Sequence, residues 1–258
     1  MEGRHDERER LRAERQAAES RDAASDLARK RRLQYLIIAG FVAVAVIVAL
    51  IVISQSGGNN NGQGGSPSNV SGVAQVDAEL SGIPQQGQVL GDASAPVTVV
   101  EFGDPQCPVC RAFSEQIAPS LISSEVKSGS VKYEFQPYII IGPDSKPAMR
   151  AALAAGEQGR FWNYLQLFYR NQGEENSGYV TDSFLTSIAK AAGISDLAKW
   201  NQSRNGSSWD SVLANGTTQA ESLAFNGTPS ILVKGPNGQR ALSGFGLSEI
   251  RSAIQQVS

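Results

Sequence analysis

The sequence predicts an α/β fold in the order βαβ and then ββα, with a helical insertion between the halves, preceded by one transmembrane helix and a flexible linker. Three observations carry this expectation. The β-branched run Val97-Thr98-Val99-Val100-Glu101-Phe102 gives way, at Cys107-Pro108-Val109-Cys110, to a helical pattern beginning Arg111-Ala112-Phe113. A long stretch of helical periodicity separates that unit from a terminal hairpin and helix. Nearer the N-terminus, nineteen consecutive residues from Tyr35 to Ile53 carry no charge.

In chain order, residues 1–32 hold ten basic and eight acidic side chains and hardly any large apolar ones, which reads as a charged cytosolic tail. Residues 33–53 read as a transmembrane signal anchor, because nineteen helical residues at about 1.5 Å each match a hydrocarbon core of about 30 Å. Arg29-Lys30-Arg31-Arg32 stands directly before the run, which places the N-terminus in the cytoplasm and everything after Ser54 outside. No A-x-A site follows and no cysteine is there to take a lipid, so the anchor is expected to be retained. Residues 54–72 are Gly, Ser, Asn and Gln apart from one proline and Val70, a composition that buries little apolar area and reads as a flexible tether. The N-x-[ST] triplets at Asn69, Asn201, Asn205, Asn215 and Asn226 are too frequent by chance to carry weight.

The folded domain is expected over 73–258. Gln88-Val89-Leu90 is a short strand, and Gly91 to Pro96 a turn. Val97 to Phe102 is nearly all apolar, as a strand buried on both faces should be. A helix follows from the cysteines to about Lys127, and Val131 to Phe135 alternates as a strand. The resulting βαβ order favours parallel pairing. The helical insertion covers about 145–224, with Phe161, Tyr164, Leu165 and Phe168 on one face and Phe184, Leu185, Ile188 and Ala192 on another. Ser230 to Val233 is then a strand, Gly235-Pro236-Asn237-Gly238 a hairpin turn, Arg240 to Ser243 the partner strand, and Leu247, Ile250, Ile254 and Val257 the apolar stripe of a last helix.

Cys107 and Cys110 are the only two cysteines. Two sulfurs at this spacing admit a structural bridge, half of a metal site or a redox couple. A bridge closing so short a loop contributes only about 2 kcal/mol by chain entropy. Zinc or an iron–sulfur cluster needs about four ligands, and the sole histidine, His5, lies in the tail, so a metal site would require a second chain. The redox couple has a mechanism. A sulfur at a helix N-terminus faces unpaired N–H groups and the positive end of the helix dipole, which lowers its pKa and makes Cys107 the nucleophile. Pro108 fits the first helical turn, where its missing N–H costs nothing. Cys110, one turn on, is placed to resolve a mixed disulfide.

Absence of histidine after residue 5 excludes Ser-His-Asp and Cys-His hydrolases. The formal charge of −2 argues against a general nucleic-acid binder, and no Gly-rich phosphate loop sits between a strand and a helix.

Glu101-Phe102-Gly103-Asp104-Pro105-Gln106-Cys107-Pro108-Val109-Cys110, the helical insertion with Ala154-Ala155-Gly156-Glu157-Gln158-Gly159-Arg160-Phe161-Trp162, and Gly227-Thr228-Pro229-Ser230 together resemble the DsbA-like thiol:disulfide oxidoreductases of bacteria, which have a thioredoxin-like fold. The resemblance covers about 80–258. It implies that Pro229 is a cis proline facing the sulfurs and that the Thr228 backbone pairs with an extended substrate. It also implies that Glu101 is a buried acid handling protons for Cys110, with a raised pKa suited to that work. Well-known members carry histidine where this chain has Val109, which cannot hydrogen-bond a thiolate, so the disulfide is expected to be less oxidising. The function implied is donation of the Cys107–Cys110 disulfide to exported proteins, with no further cofactor. Reoxidation would come from a quinone-linked protein of the bacterial cytoplasmic membrane, with the catalytic domain extracytoplasmic. A reductase or isomerase using the same couple, and a non-catalytic thioredoxin-like binding module, are the alternatives.

Overall fold

The computed structural model describes residues 70–258; the tail, the anchor and nearly all of the tether expected from the sequence lie outside the described residues. Among the described residues, no helix is long and apolar enough to cross a membrane. The chain forms an α/β thioredoxin-like fold around one six-stranded sheet, whose strands in spatial order are Gln85–Gln86 (β1), Val89–Leu90 (β2), Val131–Pro137 (β4), Val97–Gly103 (β3), Ser230–Gly235 (β5) and Gly238–Ala241 (β6).

Helix α1 (Val73–Leu80) leads into the short antiparallel pair β1 (Gln85–Gln86) and β2 (Val89–Leu90). Neither α1 nor β1 is legible in the sequence, because α1 has only eight residues and β1 is two glutamines. Strand β3 (Val97–Gly103) is buried at all seven positions, as its apolar run requires, and takes the centre of the sheet. It pairs in parallel with β4 (Val131–Pro137) from Val97↔Val131 to Gly103↔Pro137. The single helix expected between them is instead broken into α2 (Pro108–Gln116), α3 (Ala118–Leu121) and a π-helical turn at Ile122–Val126. Pro119 explains the break, since it has no N–H to give the carbonyl four residues back.

Strand β5 (Ser230–Gly235) runs antiparallel along the other edge of β3, with Phe102 opposite Ser230. Pro229 therefore comes level with the C-terminal end of β3, beside the start of α2. Strand β6 (Gly238–Ala241) begins directly after the tight turn at Pro236-Asn237, two residues earlier than expected, because Gly235 already pairs with Gly238. Helix α9 (Leu247–Val257) closes the chain.

The insertion comprises α4 (Ser145–Gly156), α5 (Phe161–Arg170), α6 (Asp182–Ala191), α7 (Leu197–Asn205) and α8 (Asp210–Ser222). All nine residues from Phe161 to Tyr169 are buried, not merely the stripe legible in the sequence. The cause is a second layer, because α5 is sandwiched. Trp162 stacks on Tyr133 of the sheet at 4.5 Å between ring centroids, while Phe168 meets Phe184 of α6 at 5.5 Å and Tyr164 meets Trp200 of α7 at 6.0 Å. At roughly 1.5–3 kcal/mol per fully buried large apolar side chain, this helix holds the insertion to the sheet.

Candidate functional site

Three strand ends meet at one loop. β3 ends at Gly103, where a side chain could not be accommodated: a Cβ would lie 2.7 Å from the Phe135 ring. Asp104, fully buried, then accepts hydrogen bonds from the N–H groups of Gln106, Ile140 and Ile141 at 2.9–3.0 Å, tying the loop to the chain leaving β4. From the insertion, Gln172 donates to the carbonyls of Pro105 and Cys107 at 2.7 and 3.2 Å, and Tyr169 donates to the carbonyl of Asp104 at 3.3 Å. Gln106 bonds Ser145 and Asn176. The insertion thus clamps the loop in front of the cysteines.

Cys107 is the N-cap of α2, with Pro108 in the first turn. Its Sγ accepts from the Cys110 N–H at 3.3 Å and, as a thiol, donates to the Thr228 carbonyl at 3.2 Å. The Thr228–Pro229 peptide is cis. Both cysteines are free thiols. Cys107 retains 3 % of its surface and Cys110 none, whereas Val109 between them is 43 % exposed.

The two sulfurs are driven apart in acidity. The Cys110 thiol beside it, helped by Thr228 and by the Cys110 and Val109 N–H groups, lowers the Cys107 pKa to about 6 against the opposing effect of burial. Burial, followed by the neighbouring Cys107 and Glu101, pushes the Cys110 thiol well above its ordinary value. Glu101 is 2 % exposed, and burial raises its pKa to about 8, with a hydrogen bond from Tyr133 pulling the other way. The Tyr133 hydroxyl donates to Glu101 Oε2, while Oε1 is buried and without a partner among the described residues.

The structure therefore gathers Glu101, Cys107, Pro108, Val109, Cys110, Thr228 and Pro229 around one helix start. Sequence reasoning missed Tyr133, Asp104, Gln106 and Gln172. Only Tyr133 lies on a patterned strand, and pairing it with Glu101 needs the register. In a parallel pair the side-chain parity of β4 puts Tyr133, opposite Val99, on the same sheet face as Glu101 two residues further along β3. Among the described residues, no group of three or more His, Cys, Asp or Glu side chains is placed to hold a metal ion. A cleft of about 830 Å³ between the β1–β2 pair and the end of the π-turn contains none of these site residues; they gather at a helix mouth, not in that cleft.

A thioredoxin family model matches residues 84–254. The chain is 30 % identical over 151 residues to the probable disulfide bond formation protein D of Bacillus cereus, covering 57 % of this chain and 70 % of that protein. It is 36 % identical over 119 residues to the disulfide bond formation protein D of Bacillus subtilis, covering 43 % of this chain and 52 % of that one. Among solved structures, oxidised BdbD of Bacillus subtilis superposes with a TM-score of 0.59 at 25 % identity, covering 67 % of this chain and 96 % of that chain. A thioredoxin-like oxidoreductase of Silicibacter pomeroyi gives 0.55 at 26 %, covering 70 % and 95 %.

Proposed function

The chain belongs to the thioredoxin family, as a DsbA-like thiol:disulfide oxidoreductase, and from that premise we propose that it works as an oxidase, donating the Cys107–Cys110 disulfide to exported proteins. The observation that carries the reading is the placement of the two sulfurs, Cys107 at the open start of α2 with the Cys110 N–H on it and Cys110 without exposed surface, which splits their acidity. A client thiolate attacks Cys107 Sγ and the bond to Cys110 breaks. The Cys110 sulfur leaves as an anion and takes the proton of Glu101, which is still protonated at neutral pH. A second client thiolate then attacks the client sulfur of the mixed disulfide, and Cys107 leaves as a thiolate. Its low pKa makes it a good leaving group and stabilises the reduced enzyme, both of which favour oxidation of the client. The Thr228 backbone and Pro229 would hold the extended client segment beside the sulfur.

Residues 33–53 would anchor the chain in the bacterial cytoplasmic membrane with the catalytic domain outside, and a quinone-linked membrane protein would restore the disulfide. Val109 keeps a reductase or isomerase reading in view, since it offers the sulfur no side-chain donor. The test uses the full chain in detergent, its Cys107–Cys110 disulfide preformed, with a reduced, unfolded substrate and glutathione disulfide as the terminal oxidant. Oxidation of that substrate is expected, with Cys107→Ser abolishing turnover and Cys110→Ser accumulating mixed disulfides. No oxidation by a chain carrying the Cys107–Cys110 disulfide would overturn the proposal, and a reduction potential measured against glutathione separates oxidase from reductase.

A further inference from the structure

The chain contains five Asn-Gly pairs, of which Asn205-Gly206, Asn215-Gly216, Asn226-Gly227 and Asn237-Gly238 fall within the described residues. Such a pair is a chemical weak point. Glycine has no Cβ to keep its amide nitrogen from reaching the preceding side-chain amide carbon.

Three of the four are restrained by the fold. The Asn205 amide donates to the Asn201 carbonyl at 2.9 Å, and the Gly206 N–H to the Ser203 carbonyl at 3.1 Å. Asn215 lies inside α8, and Gly216 packs so closely that an added Cβ would sit 2.1 Å from the Pro137 carbonyl oxygen. The Asn237 N–H donates to the Val257 carbonyl at 3.0 Å, and its side-chain amide bonds the Ser258 carbonyl.

Asn226 has no such restraint. It is exposed and outside regular structure, and among the described residues neither its side chain nor the Gly227 N–H has a hydrogen-bond partner. A Cβ on Gly227 would meet nothing within 4 Å, so the space a ring closure needs is open. Phe225 is fixed by its N–H to Ala220 and by the Tyr138 hydroxyl on its carbonyl, both at 3.0 Å, while Pro229 is buried on the other side. The span between these anchors carries Thr228, whose carbonyl takes the Cys107 thiol at 3.2 Å.

We propose that Asn226 is a spontaneous modification site, converting to aspartate or isoaspartate and thereby altering the Cys107 site. The Gly227 nitrogen loses its proton to solvent base and attacks Asn226 Cγ; ammonia leaves and a five-membered imide forms. Water then opens the imide at either carbonyl, giving aspartate or isoaspartate with no electron transferred. A neutral amide becomes a carboxylate two residues from the carbonyl on the Cys107 sulfur, and isoaspartate also lengthens the main chain by one methylene. The new negative charge disfavours the thiolate. This consequence, unlike the conversion itself, rests on the reading of Cys107 as the reactive sulfur.

The experiment incubates the full chain in detergent at mildly alkaline pH and follows each Asn-Gly pair by peptide mapping. Asn226 should convert several-fold faster than Asn205, Asn215 or Asn237, and the difference should vanish in denaturant. Separately, alkylation of Cys107 near its own pKa should slow a few-fold in Asn226→Asp, with the deficit shrinking in high salt, and be unchanged in Asn226→Gln. Equal rates at the folded sites, or an alkylation profile in Asn226→Asp matching the parent, would overturn the proposal. Neither arm uses disulfide transfer, so a chain inert toward substrates would retract the oxidase reading and leave this one intact.

Discussion

Around Cys107 the chain presents donors: an amide N–H at 3.3 Å, the neighbouring thiol and the open start of a helix. One turn away, Cys110 is sealed among apolar side chains, with a carboxyl group that burial itself keeps protonated. Two atoms of the same element, three residues apart, thus sit in different electrostatic media. The outer one is comfortable as an anion and the inner one is not, and in the proposed reaction that difference opens the disulfide in a fixed order. It is made by the fold and not by the motif, since the acid comes from β3, its hydroxyl partner from β4, and the carbonyl on the outer sulfur from the loop before β5.

The strongest way to collapse the contrast is to remove the inner proton donor. Glu101→Gln should slow the Cys110 step by roughly a hundredfold, the low end of what general acid–base catalysis supplies, and flatten its pH dependence near 8, where Glu101 titrates. Quenched-flow trapping of the mixed disulfide measures this. Stability should respond with opposite sign at the two sites. The folded pKa of Glu101 is raised from 4.5 to about 8, so its contribution is complete below about 4.5 and is lost as pH climbs toward 8, by on the order of 4 kcal/mol. The folded pKa of Cys107 is lowered from 9.0 to about 6, so its contribution is present above 9 and is lost as pH falls through 6. Urea midpoints across pH 4–9 should decline less in Glu101→Gln than in the parent, and an unchanged slope would contradict the burial argument.

Tyr133→Phe is a milder break. Losing the hydroxyl leaves Glu101 Oε2 without its donor, which costs about 1–3 kcal/mol of stability and moves the Glu101 pKa further up, because that hydrogen bond now lowers it. The pH midpoint of the Cys110 step should therefore rise, with a rate loss of less than about tenfold at neutral pH. In a Glu101→Gln background the same change should leave the pH profile unmoved, which a general loosening of the core would not reproduce.

How much of this was legible in the chain differs between the same two regions. The outer site is local: strand, loop, Cys107, Pro108 and Cys110 follow one another, and local patterns survive in sequence. Placing Thr228 and Pro229 there needed a family resemblance, since only the pairing of Phe102 with Ser230 brings them across 121 residues. The inner compartment was half hidden. Glu101 was reached through the family resemblance, but Tyr133 looked like any aromatic in an alternating strand, and its partner is set by register. The clamps from Gln106 and Gln172 are polar side chains in loops, whose packing no periodicity encodes. The broken helix at Pro119 was misjudged because the apolar spacing runs on through it.

The smallest change tests the outer site alone. Val109 is 43 % exposed, so Val109→His should cost less than about 0.5 kcal/mol of stability, as surface substitutions usually do. Its ring adds a side-chain donor near a sulfur that backbone groups, Thr228 and the Cys110 thiol already hold near pKa 6. The Cys107 pKa should fall further, and the disulfide should become more oxidising, because stabilising the thiolate stabilises the reduced form. Thiolate absorbance against pH and a glutathione titration read the two effects. The Cys110 step should keep its pH profile, since Glu101 and its partner Tyr133 are buried whereas position 109 is exposed. A potential that does not move while the pKa falls would mean that the inner sulfur, not the outer one, sets the balance between dithiol and disulfide.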